Sequence, residues 1–121
     1  MSASGRNPTR RKRLKPRVKV WLEVDGQYVF GFRLSEILKA VEAAGSIKAA
    51  AKLLGRSYRY VWGRIKDAER TIGEPLVNTR VGGAGPNRSC LTKLAGRLVA
   101  DYDALRQRMF EVVQEESSSR F

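Results

Sequence analysis

Three successive stretches of this chain open on serine and close on glycine: Ser35 to Gly45, Ser46 to Gly55 and Ser57 to Gly73. A serine hydroxyl accepts from the free backbone N–H groups of a starting helix, and glycine enters the left-handed conformation that ends one. The punctuation predicts helices from Ser35 to about Ala44, from Ile47 to Leu54 and from Tyr58 to about Ile72, with almost no chain between them. Ile37, Leu38, Val41 and Ala44 share one face of the first. In the third, Val61, Ile65, Ala68 and Ile72 recur at spacings of four, three and four, which makes an inward stripe. Ala49, Ala50 and Ala51 keep the second helix slim, so it can approach the third closely, and Gly55 permits the sharp turn between them. The last two helices and their turn have the form of a helix-turn-helix.

Extended segments flank this unit. Val18, Val20, Leu22 and Val24 alternate along one run, Gln27 to Phe32 alternate along the next, and Asp25-Gly26 joins them. That dipeptide between alternating runs predicts a β-hairpin, whose apolar face must pack on the helices because a lone hairpin is marginal. After Leu76-Val77 comes Arg80-Val81-Gly82-Gly83-Ala84-Gly85-Pro86-Asn87-Arg88, which only a loop tolerates; lying between short extended pieces, it has the makings of a wing. Thr92 caps a long last helix to about Glu115, with Leu94, Leu98, Tyr102, Leu105, Met109 and Val112 recurring every three or four residues. The expected class is therefore mainly α with short β: a winged helix-turn-helix preceded by a hairpin and followed by a long helix.

Charge narrows the function. The formal net charge is +12, and eight cations lie between Arg6 and Lys19 with no acid before Glu23, which leaves four net positive charges for the remainder. Residues 1–16 read as a disordered basic arm, residues 17–91 as the folded DNA-binding unit and residues 92–121 as the long helix with a short tail. Such a field attracts a polyanion. There is no histidine and only one cysteine, Cys90, so the commonest general base, a Cys metal cage and an intramolecular disulfide are all missing. Asp67, Glu69, Asp101 and Asp103 are scattered along helices and pair in no acid–base or metal arrangement. The glycine-rich loop lacks the strand-to-helix setting and the Lys-Ser/Thr of a nucleotide loop. No enzyme, cofactor or metal is expected. No apolar run approaches the roughly 18 residues that cross a bilayer, so a cytoplasmic, nucleoid-associated protein is expected.

On a helical wheel Arg59, Gly63, Lys66 and Arg70 fall opposite the apolar stripe of the third helix, with Tyr60 and Arg64 beside them. Ser57, Tyr58 and Arg59 form its leading end, where free backbone N–H groups favour phosphate. The candidate DNA contacts are these residues other than Gly63 and Arg70, with Lys48 on the helix before and Arg80 and Arg88 at the wing. Arg59 is the best base reader, since its fork can grip guanine with two hydrogen bonds, while Arg64 and Lys66 suit phosphate. Trp62 flanks the stripe and is expected to be partly buried. Trp21, Tyr28, Phe30 and Phe32 are expected to pack in the core and hairpin rather than stack on bases, and Cys90 to be a small packed residue.

The run Gly45-Ser46-Ile47-Lys48-Ala49-Ala50-Ala51-Lys52-Leu53-Leu54-Gly55-Arg56-Ser57-Tyr58-Arg59-Tyr60-Val61-Trp62 resembles the DNA-binding domain of the ModE molybdate-dependent regulators, a relative of the LysR-type winged helix. So do Gly73-Glu74-Pro75-Leu76-Val77-Asn78-Thr79-Arg80, the glycine-rich loop and Leu91-Thr92, and the likeness extends over roughly residues 17–115. It implies a winged helix-turn-helix that dimerises through its long last helix and binds a palindromic operator. The dimerisation residues would be Leu98, Tyr102, Leu105, Met109 and Val112, although the same helix could instead cover the hairpin of its own chain. Molybdate-sensing members carry the ion in C-terminal oxyanion-binding domains. This chain stops at Phe121, so molybdate binding is not carried over.

A sequence-specific regulator with double-stranded DNA and a second copy of itself as partners is the leading expectation, with any effector or partner protein left open. An architectural nucleoid protein of little sequence preference is the alternative. An oxyanion sensor binding at the dimer interface ranks behind both. The basic arm is expected to touch DNA rather than serve only as a solubility tail.

Overall fold

A computed structural model describes residues 11–80 and 88–121. Strands β1 (Leu22–Val24) and β2 (Gln27–Phe30) form an antiparallel hairpin turned by Asp25 and Gly26, which both take positive φ (50° and 78°). This is the geometry that matches the right-handed twist of paired strands. The pairing is shorter than the alternation in the sequence suggests. Residues 12–21 are neither helix nor strand, yet Val20 and Leu22 still rest on the core. Of the expected basic arm, residues 11–16 likewise form no regular element, and residues 13–18 share a groove with the end of the last helix. Residues 1–10 lie outside the described residues.

Helix α1 (Phe32–Ala44) starts one turn earlier than the serine punctuation implies. Gly31 precedes it, and Ser35 is a fully buried interior residue, not a cap. Its amide already bonds to Gly31 O at 3.0 Å, and its hydroxyl donates to Asp103 on the last helix at 2.8 Å. A tertiary acceptor thus replaces the capping role. Helices α2 (Ile47–Leu54) and α3 (Tyr58–Ile72) begin and end where the sequence places them. Ser46 Oγ accepts from Ala49 N and Ser57 Oγ from Tyr60 N, both at 3.0 Å. Each such cap is worth roughly 1 kcal/mol. Gly55, at φ 67°, turns the chain between α2 and α3.

Strands β3 (Val77–Arg80) and β4 (Arg88–Leu91) pair antiparallel as a second, separate hairpin, whose intervening loop of residues 81–87 lies outside the described residues. Helix α4 (Lys93–Ser117) follows, capped by Thr92, whose hydroxyl accepts from Ala95 N and donates to Pro75 O. One core joins all of these elements: Phe30 from β2; Leu34, Leu38 and Val41 from α1; Ala50 and Ala51 from α2; Val61 and Ile65 from α3; Leu76; and Ala95 and Tyr102 from α4. The alanine run does what slimness suggests, since Ala50 and Ala51 are buried between α1 and α3.

Two expectations about aromatic and apolar residues are corrected. Phe30 is buried, but Trp21, Tyr28 and Phe32 are each nearly half exposed, because they line an open cleft instead of the core. Cys90 is exposed and its neighbour Ser89 is buried, since alternation along β4 points Ser89 inward, where its N–H bonds to Gly45 O at 2.7 Å.

Candidate nucleic-acid interface

Helix α3 has four distinguishable sides. Val61, Ile65 and Ala68 are buried. Toward the wing, Lys66 Nζ lies 3.1 Å from Glu69 and 5.7 Å from the centre of the Trp62 ring, which is itself partly exposed. Toward the first hairpin, Tyr60 and Arg64 line a cleft with Trp21 and Tyr28. Arg59, Arg70 and Tyr58 are exposed. The sequence assigns Tyr60, Arg64 and Lys66 to the DNA face, whereas the structure turns the first two toward the hairpin and engages the third with Glu69.

Electrostatics separate the cations further. Arg70 forms a close ion pair with Asp67 one turn back, and Lys66 pairs with Glu69. Arg59 has no acidic partner among the described residues, so its charge and its donors are uncommitted. It sits in the first turn, beside backbone N–H groups that the helix itself cannot satisfy. Lys48 is exposed on α2, and Ser57, although exposed, is committed as the cap of α3. Arg56, in the turn before Ser57, stacks on the Tyr60 ring at 4.8 Å. It was not singled out from the sequence, although a cation in the turn between two such helices is itself a signal.

Glu69 fixes the start of the wing to α3. Its carboxylate accepts from Leu76 N at 2.7 Å and Val77 N at 3.2 Å, as well as from Lys66. Burial by itself would raise this carboxyl, but the three donors outweigh burial and hold it below the usual glutamate range. On the other strand, Arg88 is exposed and its guanidinium lies near the Gly45 turn, 3.8 Å from where a Cβ at that glycine would sit. Only the backbone of Arg80 is described, as the last residue of β3.

The α4 residues expected at a dimer face divide. Tyr102 is only 1% exposed within the single chain, tilted against Phe30 at 5.3 Å between ring centres, and its hydroxyl donates to Val20 O at 2.7 Å. It is a core residue of its own chain. The physical reason is that Phe30 on β2 offers a ring, and Val20 in the segment entering β1 a carbonyl, at that height. Leu98 rests at the edge of the core, Leu105 is exposed, and Met109 and Val112 are partly exposed. Asp103, on the next position, accepts from Ser35 and from Lys39 Nζ at 2.8 Å. Burial pushes its carboxyl up, and these two donors more than reverse that, leaving it below the usual aspartate range.

Among the described residues no three His, Cys, Asp or Glu side chains gather to hold a metal, and no helix is long and apolar enough to cross a membrane. A two-helix unit with an exposed, uncommitted arginine at the head of its second helix, and a β-hairpin bonded to that helix, defines a winged helix-turn-helix of the DNA-binding class. The family of bacterial regulatory helix-turn-helix proteins of the lysR type matches residues 32–93, and the chain belongs to it. The transcriptional regulator ModE of Yersinia pestis is 36% identical over 84 residues, covering 67% of this chain and 32% of that protein. The DNA-binding transcriptional dual regulator ModE of Escherichia coli K12 is 32% identical over 89 residues, covering 71% of this chain and 34% of that protein. The chain thus spans about a third of the length of the curated relatives it matches. The fold is that of the crystallised CbnR_DBD-DNA complex, with a TM-score of 0.58 and 21% identity over 76% of this chain and all of that one.

Proposed function

We propose that this chain reads double-stranded DNA sequence-specifically and regulates transcription as a homodimer on a palindromic operator. The observation that carries the reading is Arg59, exposed in the first turn of α3, without an acidic partner among the described residues and next to free helix N–H groups. In a major groove its fork meets the two acceptors of a guanine edge. Tyr58 and the N-terminal backbone of α3 flank it, Lys48 and Arg56 approach phosphate from α2 and the turn, and the wing brings Arg80 and Arg88 to the adjacent backbone. Ser57 contributes mainly by shaping the helix start. Lys66 reaches phosphate only by loosening its pair with Glu69, and Tyr60 and Arg64 support the helix from the hairpin side. A relative of the same fold is known in complex with DNA, and the ModE relatives are named as transcriptional regulators, which supports the assignment.

Dimerisation is assigned to the outer edge of α4, where Leu105, Met109 and Val112 continue outward from Leu98 at the edge of the core. Two copies joined there place their α3 helices in successive major grooves, about 34 Å apart. Action on chromosomal DNA places the protein in the cytoplasm. The test is fluorescence anisotropy across a salt series, with DNA from upstream of the chain's own gene and a scrambled duplex. Tight binding confined to the native fragment supports a sequence reader. Equal binding to both, lost steeply with salt, would leave only phosphate contacts and refute it.

A further inference from the structure

The first hairpin, the start of α1, one side of α3 and the middle of α4 enclose an open cleft of about 930 Å³, within the roughly 300–1,000 Å³ of small-molecule sites. Its charged lining is one-sided. Lys19, Arg33, Arg56, Arg64 and Arg106 face a single acid, Glu36, which lies 3.9 Å from Lys39 outside the lining. None of the five cations forms an ion pair among the described residues. Arg64 Nε is buried and has no hydrogen-bond partner. A buried N–H without an acceptor is costly, and its presence calls for an explanation.

The walls are aromatic. Trp21 and Tyr28 lie 6.5 Å apart between ring centres, and with Phe32 they are nearly half exposed. Arg106 is held between Phe32 and Phe110, 4.1 and 4.2 Å from the ring centres. Stacking occupies the faces of a guanidinium and leaves its in-plane N–H groups to an acceptor. Arg64 is five residues from Arg59, about 140° around the helix, so the two side chains leave α3 on different sides.

We propose that this cleft binds a small planar aromatic anion, a ring carrying a carboxylate or a phosphate. The ring lies against Trp21, Tyr28 and Phe32, and the anionic group is held by Arg64 with Arg33 and Arg106. The site touches both α3 and α4, but its existence does not rest on the DNA reading, and it is tested without DNA.

The two tryptophans, Trp21 and Trp62, give two indole N–H signals in an amide-correlation NMR spectrum of the full chain, assigned with Trp62→Phe. Naphthoate and adenosine monophosphate are titrated to millimolar concentration, with cyclohexanecarboxylate and inorganic phosphate as non-aromatic controls. The expected result is a saturable shift of the Trp21 indole, with Trp62 still, for at least one aromatic probe. Response to naphthoate alone identifies a carboxylate ligand, and response to the nucleotide alone a phosphate one. Arg64→Met keeps the apolar stem and is expected to weaken that binding about tenfold or more, as loss of a charge-assisted hydrogen bond does. Arg33→Met, at the exposed start of α1, gives the same readout if Arg64→Met does not fold. Failure of both aromatic probes to move Trp21, an equal response to the non-aromatic anions, or undiminished binding by the folded variant would overturn the proposal.

Discussion

Tyr102→Phe removes one oxygen and nothing else. The ring that packs on Phe30 stays, and the bond lost is the 2.7 Å donation to Val20 O, which ties the middle of α4 to the segment entering β1. A partly buried hydrogen bond of this kind contributes about 1 kcal/mol, because water satisfies the freed carbonyl in part. For a chain of 121 residues that loss lowers the melting temperature by roughly 4 °C. Tyr102→Ala also removes the ring from a site that is 1% exposed, and the cost rises to about 3–5 kcal/mol, as for other aromatic truncations in a core. The assay is urea and thermal unfolding followed by circular dichroism, with sedimentation equilibrium run in parallel on the folded proteins. Tyr102→Phe should shift the unfolding midpoint without changing the association constant. An unchanged midpoint with weakened association would put Tyr102 on an intersubunit face and refute its place in the core.

Arg59→Ala is expected to cost roughly 1–3 kcal/mol in discrimination between operator and scrambled DNA, measured by anisotropy at fixed salt; untouched discrimination would remove Arg59 from the reading role. Leu105→Asp, on an exposed position of α4, should leave the monomer fold intact by circular dichroism and shift the sedimentation profile to monomer; an unshifted profile would place the dimer contact elsewhere. Glu69 and Asp103 are both held below their ordinary pKa, so the folded chain favours their charged forms. Their contribution is complete above the unfolded carboxyl values of about 4 and is lost as pH falls through the lower folded ones. Glu69→Gln should therefore flatten the acid limb of the stability curve and loosen the wing, seen as faster amide exchange at Leu76 and Val77; protection equal to that of the parent chain would refute the tie.

Local chemistry was enough to place α2 and α3 to the residue, because both ends of each are written in neighbouring side chains: a serine that accepts one turn ahead and a glycine that turns left-handed. The Asp25–Gly26 turn was legible for the same reason. What failed were decisions taken far along the chain. Ser35 looks like a cap until Asp103, 68 residues later, supplies the acceptor for its hydroxyl, and the helix then extends back to Phe32. Tyr102 fits an intersubunit seam by spacing, since periodicity gives the face of a helix but not what covers it. Only the approach of Phe30 and Val20 makes that face internal.

The sequence by itself determined the helix-turn-helix, the hairpins beside it, the excess of positive charge and the arginine at the head of α3, because each depends on residues within a turn or a strand of one another. Which cations keep their charge is local too, since Glu69 and Asp67 stand three residues from Lys66 and Arg70 while no acid lies one turn from Arg59. Tertiary structure alone decided that Ser35 meets Asp103 and that Phe30 and Val20 cover Tyr102. It also decided that Tyr60 and Arg64 face a cleft with Trp21 and Tyr28, a neighbourhood made by packing elements that lie some thirty residues apart.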